Sequence, residues 1–458
     1  MSRKLAMCIG FALAMASTSW AVHSAGPAVS DLGPTGKNTS AYRVPLASTE
    51  DRAEPVPEPT GDLTLREALT LALKGNAELA AFVKEIRARE GAVRQAGLLP
   101  NPVLGLSSAN LGNSVLQDFD GPQTNLSLSQ LVLLGGKRAR AIQAAELDRT
   151  LGAWDYEVKR LDVLTQTAQA FVEVLRAQQA LTLVTDLAAL AERVVAVVSA
   201  RVRAGKVSPV EETRARVTLA SVQIERARAT RELEAERARL AASWGSKTPR
   251  FKAARGELEP VSPIPSLQAL EQRLEQNPDL ARWATELAQR QASIDLEQSR
   301  AFPDLTVSLG VTEYHDTDDS AVTAGISVPI PIFNRNQGSI QTAEQRLTKA
   351  IDERRAVAVE VHAALSAAYQ RLAAAHIEVA TLKQQVLPGA QSAFDAANQG
   401  YRLGKFGFLD VLDAQRTLFA SKAQYLRALS DYHKAVVEVE RLIGERLGTA
   451  VGKQEESR

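Results

Sequence analysis

The chain is written twice, and the spacing of the two copies limits its fold more than any other feature. Residues 202–245 lie on residues 401–444 without a gap, an offset of 199 positions. Arg203/Arg402, Gly205/Gly404, Lys206/Lys405, Ala215/Ala414, Thr218/Thr417, Leu219/Leu418 and Gly245/Gly444 are identical pairs. Upstream, residues 68–80 resemble 269–281, and residues 125–133 resemble 325–333, at nearly the same separation. A shared Ala-rich composition explains similar helices but not their common order, so both halves carry the same succession of elements.

Each half reads as helix, two strands, very long helix, tight turn, long helix. In the first, residues 65–73 and 78–98 are helical by period and by Ala, Leu, Glu and Arg content. Pro100 and Pro102 stop that run. Strands follow at about 103–109 and 124–133, where Leu126 and Leu128 alternate with Ser127 and Ser129. Residues 138–203 contain no proline and one glycine, Gly152, so a helix there would run about 100 Å at 1.5 Å per residue. The second half repeats this with a helix over 270–300, strands over 304–314 and 321–332, and a helix over 337–403 kinked at Pro388. Apolar residues in the long helices recur at steps of three and four (Leu161, Leu164, Ala168, Phe171, Leu175), the spacing of coiled coils.

The first residues look like an export signal. Arg3 and Lys4 precede an apolar run from Leu5 to Ala16, and Ser19 and Ala21 place small residues at −3 and −1 of a cleavage site. Cys8, the one cysteine, falls inside this signal, which excludes a disulfide framework. With 54 Lys+Arg against 53 Asp+Glu, the chain is no bulk-charge binder of nucleic acid. No later segment has 18 consecutive apolar residues, so entry into a membrane would have to be as a β-barrel. Four strands of about ten residues suit a bilayer crossing but are too few to close a barrel, and open edges are not tolerated in lipid. Several copies must then pool their strands. The alternative from the residues alone is a periplasmic coiled-coil scaffold, which has no use for two strand pairs at matching places. An enzyme is disfavoured because no convergent set of polar residues appears.

The motifs Val202-Arg203-Ala204-Gly205-Lys206 and Tyr401-Arg402-Leu403-Gly404-Lys405, the latter followed by residues 408–414 (FLDVLDA), resemble those of the TolC-like outer-membrane efflux channels. The passages at 98–102 (LLPNP) and 328–338 (VPIPIFNRNQG) are most similar to the outer-membrane subunit of cobalt–zinc–cadmium (CzcC-like) cation efflux systems. The resemblance covers about 62–445. It implies a mainly α fold with a small β part. Duplicated helical hairpins form a periplasmic α-barrel, and four strands per chain enter a trimeric 12-stranded transmembrane β-barrel. The expected division is a signal peptide over 1–21, a leader over 22–60, repeats over 61–245 and 266–445 joined by a linker over 246–265, and a tail over 446–458.

The resemblance also implies a passive duct with no cofactor and no catalysis. Its partners would be two further copies, a periplasmic adaptor, an inner-membrane pump of the resistance–nodulation–division type and outer-membrane lipid. Cargo would be divalent heavy-metal cations, with drugs or a secreted polypeptide as the alternative. The turns at 205–209 and 404–408 become the periplasmic tips, where Arg203, Gly205, Lys206, Arg402, Gly404 and Lys405 would meet the adaptor. Asp410 and Asp413 match the aspartates of the family's periplasmic entrance, where three copies would set six carboxylates around the mouth. The alternative for Asp410 is to sit at the positive end of its helix, a place that Glu211 shares by alignment. Arg203 and Arg402 would make ionic contacts between tips or cap helix carbonyls. Glu313, His315, Asp316, Asp318 and Asp319 cluster between two strands and could bind a cation through oxygens and one imidazole, though a solvated loop is the preferred reading.

Overall fold

The computed structural model describes residues 57–109, 122–259 and 261–447. The signal peptide, nearly all of the leader and most of the tail expected from sequence lie outside them. Two short helices open the first repeat, α1 (Leu65–Gly75) and α2 (Ala77–Ala96), followed by strands β1 (Val103–Ala109) and β2 (Gln123–Val132) and the hairpin α3 (Lys137–Arg203) and α4 (Pro209–Ala242). The second repeat has the short helix α5 (Leu267–Glu271), then α6 (Pro278–Arg300), β3 (Leu305–Tyr314), β4 (Asp319–Ser327), α7 (Gln337–Thr381), α8 (Leu387–Arg402) and α9 (Phe408–Ile443). Helix α3, of 67 residues, is unbroken. Among the described residues no helix is long and apolar enough to cross a membrane.

Three expectations from sequence are corrected. The helix expected over 337–403 is two helices joined by a π-helical turn at Leu382–Val386. Pro388 has no N–H to give, and the widened turn lets the helix restart with that proline in its first turn, where no bond is lost. The helix expected over 270–300 is divided, because Asn277 leaves helical geometry to cap α6 with Pro278 behind it. The fourth strand ends at Ser327 rather than 332, since Pro329 and Pro331 cannot donate to a ladder.

The four strands form one antiparallel sheet in the order β1-β2-β3-β4. Away from it, the hairpins share a core at mid-height that includes Phe171, Val174, Leu240, Leu365, Leu372 and Val439. The 246–265 segment contributes to this core through Phe251 and Leu258, both buried. It is strapped down by polar bonds. Gln178 on α3 bonds both backbone groups of Ala254, at 2.9 and 2.7 Å. Tyr432 on α9 donates to the Ser262 carbonyl at 3.0 Å.

An asparagine does the same work in each repeat, half-buried in the first and fully buried in the second. Asn76 caps α2 by accepting from Glu78 and Leu79, and donates to the Ser243 carbonyl at 3.0 Å. Asn277 accepts from Asp279 at 2.6 Å and donates to the Leu442 carbonyl at 2.7 Å. Ser243 and Leu442 stand 199 positions apart, as the repeat requires. One amide thus starts the helix that leads to the sheet and ties it to the end of the hairpin's return helix. Charge also joins the repeats. Glu173 on α3 meets Lys434 on α9 at 2.7 Å and Arg176 at 2.7 Å. Burial opposes ionisation of Glu173, but the bonds from Lys434 and Arg176 outweigh it and hold its carboxyl below the usual range.

Asn277→Ala should leave the half-buried Asp279 N–H and the buried Leu442 carbonyl unpaired and cost about 2–3 kcal/mol, read as a fall in the apparent Tm of the detergent-purified protein larger than that of Asn76→Ala. Because the folded-state pKa of Glu173 is depressed, its contribution is present at neutral pH and lost as pH falls through that value. Glu173→Gln should therefore lower the apparent Tm at pH 7, with the deficit shrinking below about pH 4.

Candidate functional site

The hairpin tips are built by the same backbone device. At the first, the Lys206 N–H bonds the Arg201 carbonyl and the Gly205 N–H bonds the Val202 carbonyl, both at 2.9 Å. At the second, Lys405 bonds Gly400 at 2.8 Å and Gly404 bonds Tyr401 at 3.1 Å. This double bond at a helix end requires a left-handed residue, and Gly205 and Gly404 have φ of 66° and 74°. Arg203, Lys206, Arg402 and Lys405 are exposed around these turns. Leu403 and Leu409 add apolar surface at the second tip, at 64% and 57% exposure.

The caps differ between tips. Helix α4 starts with Ser208, whose hydroxyl accepts from the Val210 N–H at 3.3 Å. Gly407 occupies the aligned position in the second repeat and has no side chain to cap with. Asp410 replaces it, its carboxylate accepting the Gly407 N–H at 2.8 Å. Asp410 thus stabilises the helix start, and it remains exposed on the same face as Asp413. Glu211 does not repeat this role. It is half-buried, with one carboxylate oxygen lacking a bond, and it faces Tyr401.

Tyr401 joins the two hairpins. Its ring packs on Phe408 at 5.9 Å and lies under the Arg201 guanidinium at 4.5 Å. Burial pushes its phenol pKa up and Glu211 acts in the same sense, while Arg201 opposes them. Val198, Ala215, Phe408 and Leu412 form a small apolar core beside it. Sequence reasoning missed Arg201. The available signal was the repeat's asymmetry, since Arg201 aligns with Gly400, and Phe406 packs where a Cβ on Gly400 would stand. Arg203 does not touch Tyr401. It helps to lower the Glu212 carboxyl, behind the larger effects of Arg216 and Ser199.

At the other end, the sheet has two chemically opposite faces. Leu106, Leu126, Val311 and Val322 are register partners across all four strands, as are Leu104, Leu128, Leu309 and Ala324. The other face carries Gly105, Ser127, Gly310 and Thr323, then Ser107, Asn125, Thr312 and Ala321. The apolar face is exposed, with Leu106 at 74% and Val322 at 71%. The polar face is crowded: a Cβ at Gly310 would stand 2.9 Å from the Thr323 hydroxyl. Among the described residues the outer strands β1 and β4 each have one unpaired edge.

The turn between β3 and β4 brings no cation site together. His315 bonds the Thr124 hydroxyl at 2.9 Å and Asp316 accepts the Thr317 N–H. Asp318 is exposed in left-handed geometry at φ 56°, and Glu313 and Asp319 are exposed strand residues. Among the described residues no group of three or more His, Cys, Asp or Glu could hold a metal.

Known proteins share this arrangement. The outer membrane efflux protein family matches residues 68–246 and 269–445, one match per repeat. The cobalt-zinc-cadmium resistance protein CzcC of Cupriavidus metallidurans is 38% identical over 445 residues, covering 96% of this chain and all of that one. The nickel and cobalt resistance protein CnrC of the same organism is 27% identical over 314 residues, covering 68% of this chain and 73% of that one. The crystal structure of CusC, described in terms of transmembrane channel formation, superposes with a TM-score of 0.69 over 87% of this chain and 99% of that one, at 18% identity. With both repeats matched and a relative aligned from end to end, this chain belongs to the outer membrane efflux protein family.

Proposed function

We propose that the chain is the duct subunit of a tripartite exporter of divalent heavy-metal cations. Three copies would pool twelve strands in the outer membrane and stand their helical hairpins in the periplasm. The observation that carries the duct is the sheet, with one apolar face, one polar face and two open edges. In lipid each unpaired backbone group costs several kcal/mol, so such a sheet must be closed by others. The apolar rows then face lipid and the Ser, Thr, Asn and Gly rows face the channel. The metal cargo rests on relatives named for cobalt, zinc, cadmium and nickel resistance. Energy would come from an inner-membrane pump of the resistance–nodulation–division type through a periplasmic adaptor, and the duct itself would make and break no bonds.

The tips are the surface offered to the adaptor. Arg203, Lys206, Arg402 and Lys405 supply charge there, and Gly205 and Gly404 hold the turns. Asp410 and Asp413 would ring the entrance, six carboxylates at a narrow mouth that attract cations and repel anions. Capping and ring are compatible, since Asp410 stays exposed while it accepts the Gly407 N–H.

Loss of the gene should sensitise cells to cobalt, zinc or cadmium and leave drug tolerance unchanged; sensitivity to drugs alone would overturn the cargo. Asp410→Asn with Asp413→Asn keeps the cap acceptor and removes the charge. Planar-bilayer recordings should show a several-fold weaker preference for cations, and unchanged selectivity would refute the ring. Gly404→Ile forces a β-branched residue into left-handed geometry at about 1–3 kcal/mol. Export should fall while membrane insertion persists, and loss of insertion would place the tip elsewhere.

A further inference from the structure

The two edges of the sheet lead into passages with unusual exposed apolar surface. Phe333 and Ile330 are the two most exposed large apolar side chains among the described residues, at 90% and 80%. They follow β4. Leu98 and Leu99, which precede β1, are also exposed.

The topology puts these passages beside each other in neighbouring copies. The sheet is antiparallel throughout, so β1 and β4 run in opposite directions. The chain enters β1 from α2 and leaves β4 for α7, and both passages therefore emerge at the helical end of the sheet, on opposite edges. When β4 of one copy pairs with β1 of the next, the alternation continues and residues 328–336 come to lie against residues 97–102 of the neighbour. The helices below agree, since they contact one another in the order α2, α3, α6, α7 within one copy. That order leaves α2 and α7 as the outer members.

The chemistry of the passages is complementary to this placement. Between β2 and β3, inside one copy, the junction is clamped by polar bonds: Asp304 accepts from the Leu134 N–H at 3.0 Å and meets Lys137 at 2.6 Å. The edge passages offer apolar side chains instead. Their backbones are already fixed. Gln130 donates to the Pro100 carbonyl at 2.9 Å, and Asn336 donates to the Glu297 carbonyl at 2.8 Å. Pro329 and Pro331 restrict the chain further, and the Ile332 N–H closes a tight turn on Ile330 at 2.9 Å. Such surfaces lose little freedom on docking.

We propose that Ile330 and Phe333 of one copy dock on Leu98 and Leu99 of the next, an apolar plug that seals the junction between barrel and helical tunnel at each boundary between copies. The plug rests on the trimeric reading above, because it exists only where two copies share a sheet edge.

The test is the double variant Leu99→Cys with Ile330→Cys, expressed as the full chain in outer membranes and mildly oxidised. The one native cysteine, Cys8, is controlled by the two single variants. A ladder of covalent dimers and trimers on a non-reducing gel is expected from the double variant and not from either single one. A trimer by light scattering in detergent without that ladder would overturn the plug while leaving the trimer standing. A monomer in detergent would overturn both. As a second measurement, Phe333→Ala should lower the temperature at which the detergent-purified trimer dissociates, with Phe333→Leu in between. An unchanged dissociation temperature would mean that these side chains face lipid rather than a second copy, and would overturn the plug.

Discussion

The structure depends on the need to satisfy backbone hydrogen bonds where water is absent. A sheet of four strands pairs its interior and leaves two edges open. In water those edges would be a liability. In lipid they are excluded, because nothing there can replace the missing partners. The register rows say that lipid is the intended solvent for one face: leucine and valine, with Ala324, run across four strands on one side, and hydroxyls, an amide and glycine, with Ala321, run across the other. A sheet of that kind is one sector of a closed wall.

The helical part meets a different constraint. A 67-residue helix buries little against itself, and the two hairpins gain cohesion where they share a core at mid-height. There the 246–265 segment inserts Phe251 and Leu258 between elements of both repeats. The paired asparagines, Asn76 and Asn277, repeat one local solution: a single amide caps a helix and closes an open carbonyl at the end of another. Glu173, Lys434 and Arg176 add charge across the same boundary.

Duplication did not produce symmetry at the tips. One helix start is capped by Ser208 and the other by Asp410. One tip sends Arg201 across to the other, where Gly400 leaves room only for Phe406. Tyr401 is one of the contacts that join the two hairpins at their tips, and its partial burial sets it apart from the exposed basic residues beside it. Any carboxylate ring at the mouth therefore draws on one repeat more than the other.

Most of the architecture was legible in the residues. The offset of 199 positions gave the order of elements, and the alternation of Leu126 and Leu128 with Ser127 and Ser129 gave a strand with two unlike faces. Glycine at 205 and 404 marked the turns, since few other residues accept a positive φ at a helix end. Local chemistry determines such features, and local chemistry is what a sequence records. Only the tertiary structure decided which carboxylate would cap and which would turn inward, because Asp410 and Glu211 hold equivalent positions and differ in their neighbours across the chain. It alone assigned the Arg201–Tyr401 contact, the division of the α5–α6 region at Asn277 and the π turn before Pro388. Those outcomes depend on partners more than a hundred residues away, or on how a long helix absorbs a missing N–H, and neither leaves a periodic trace in the sequence.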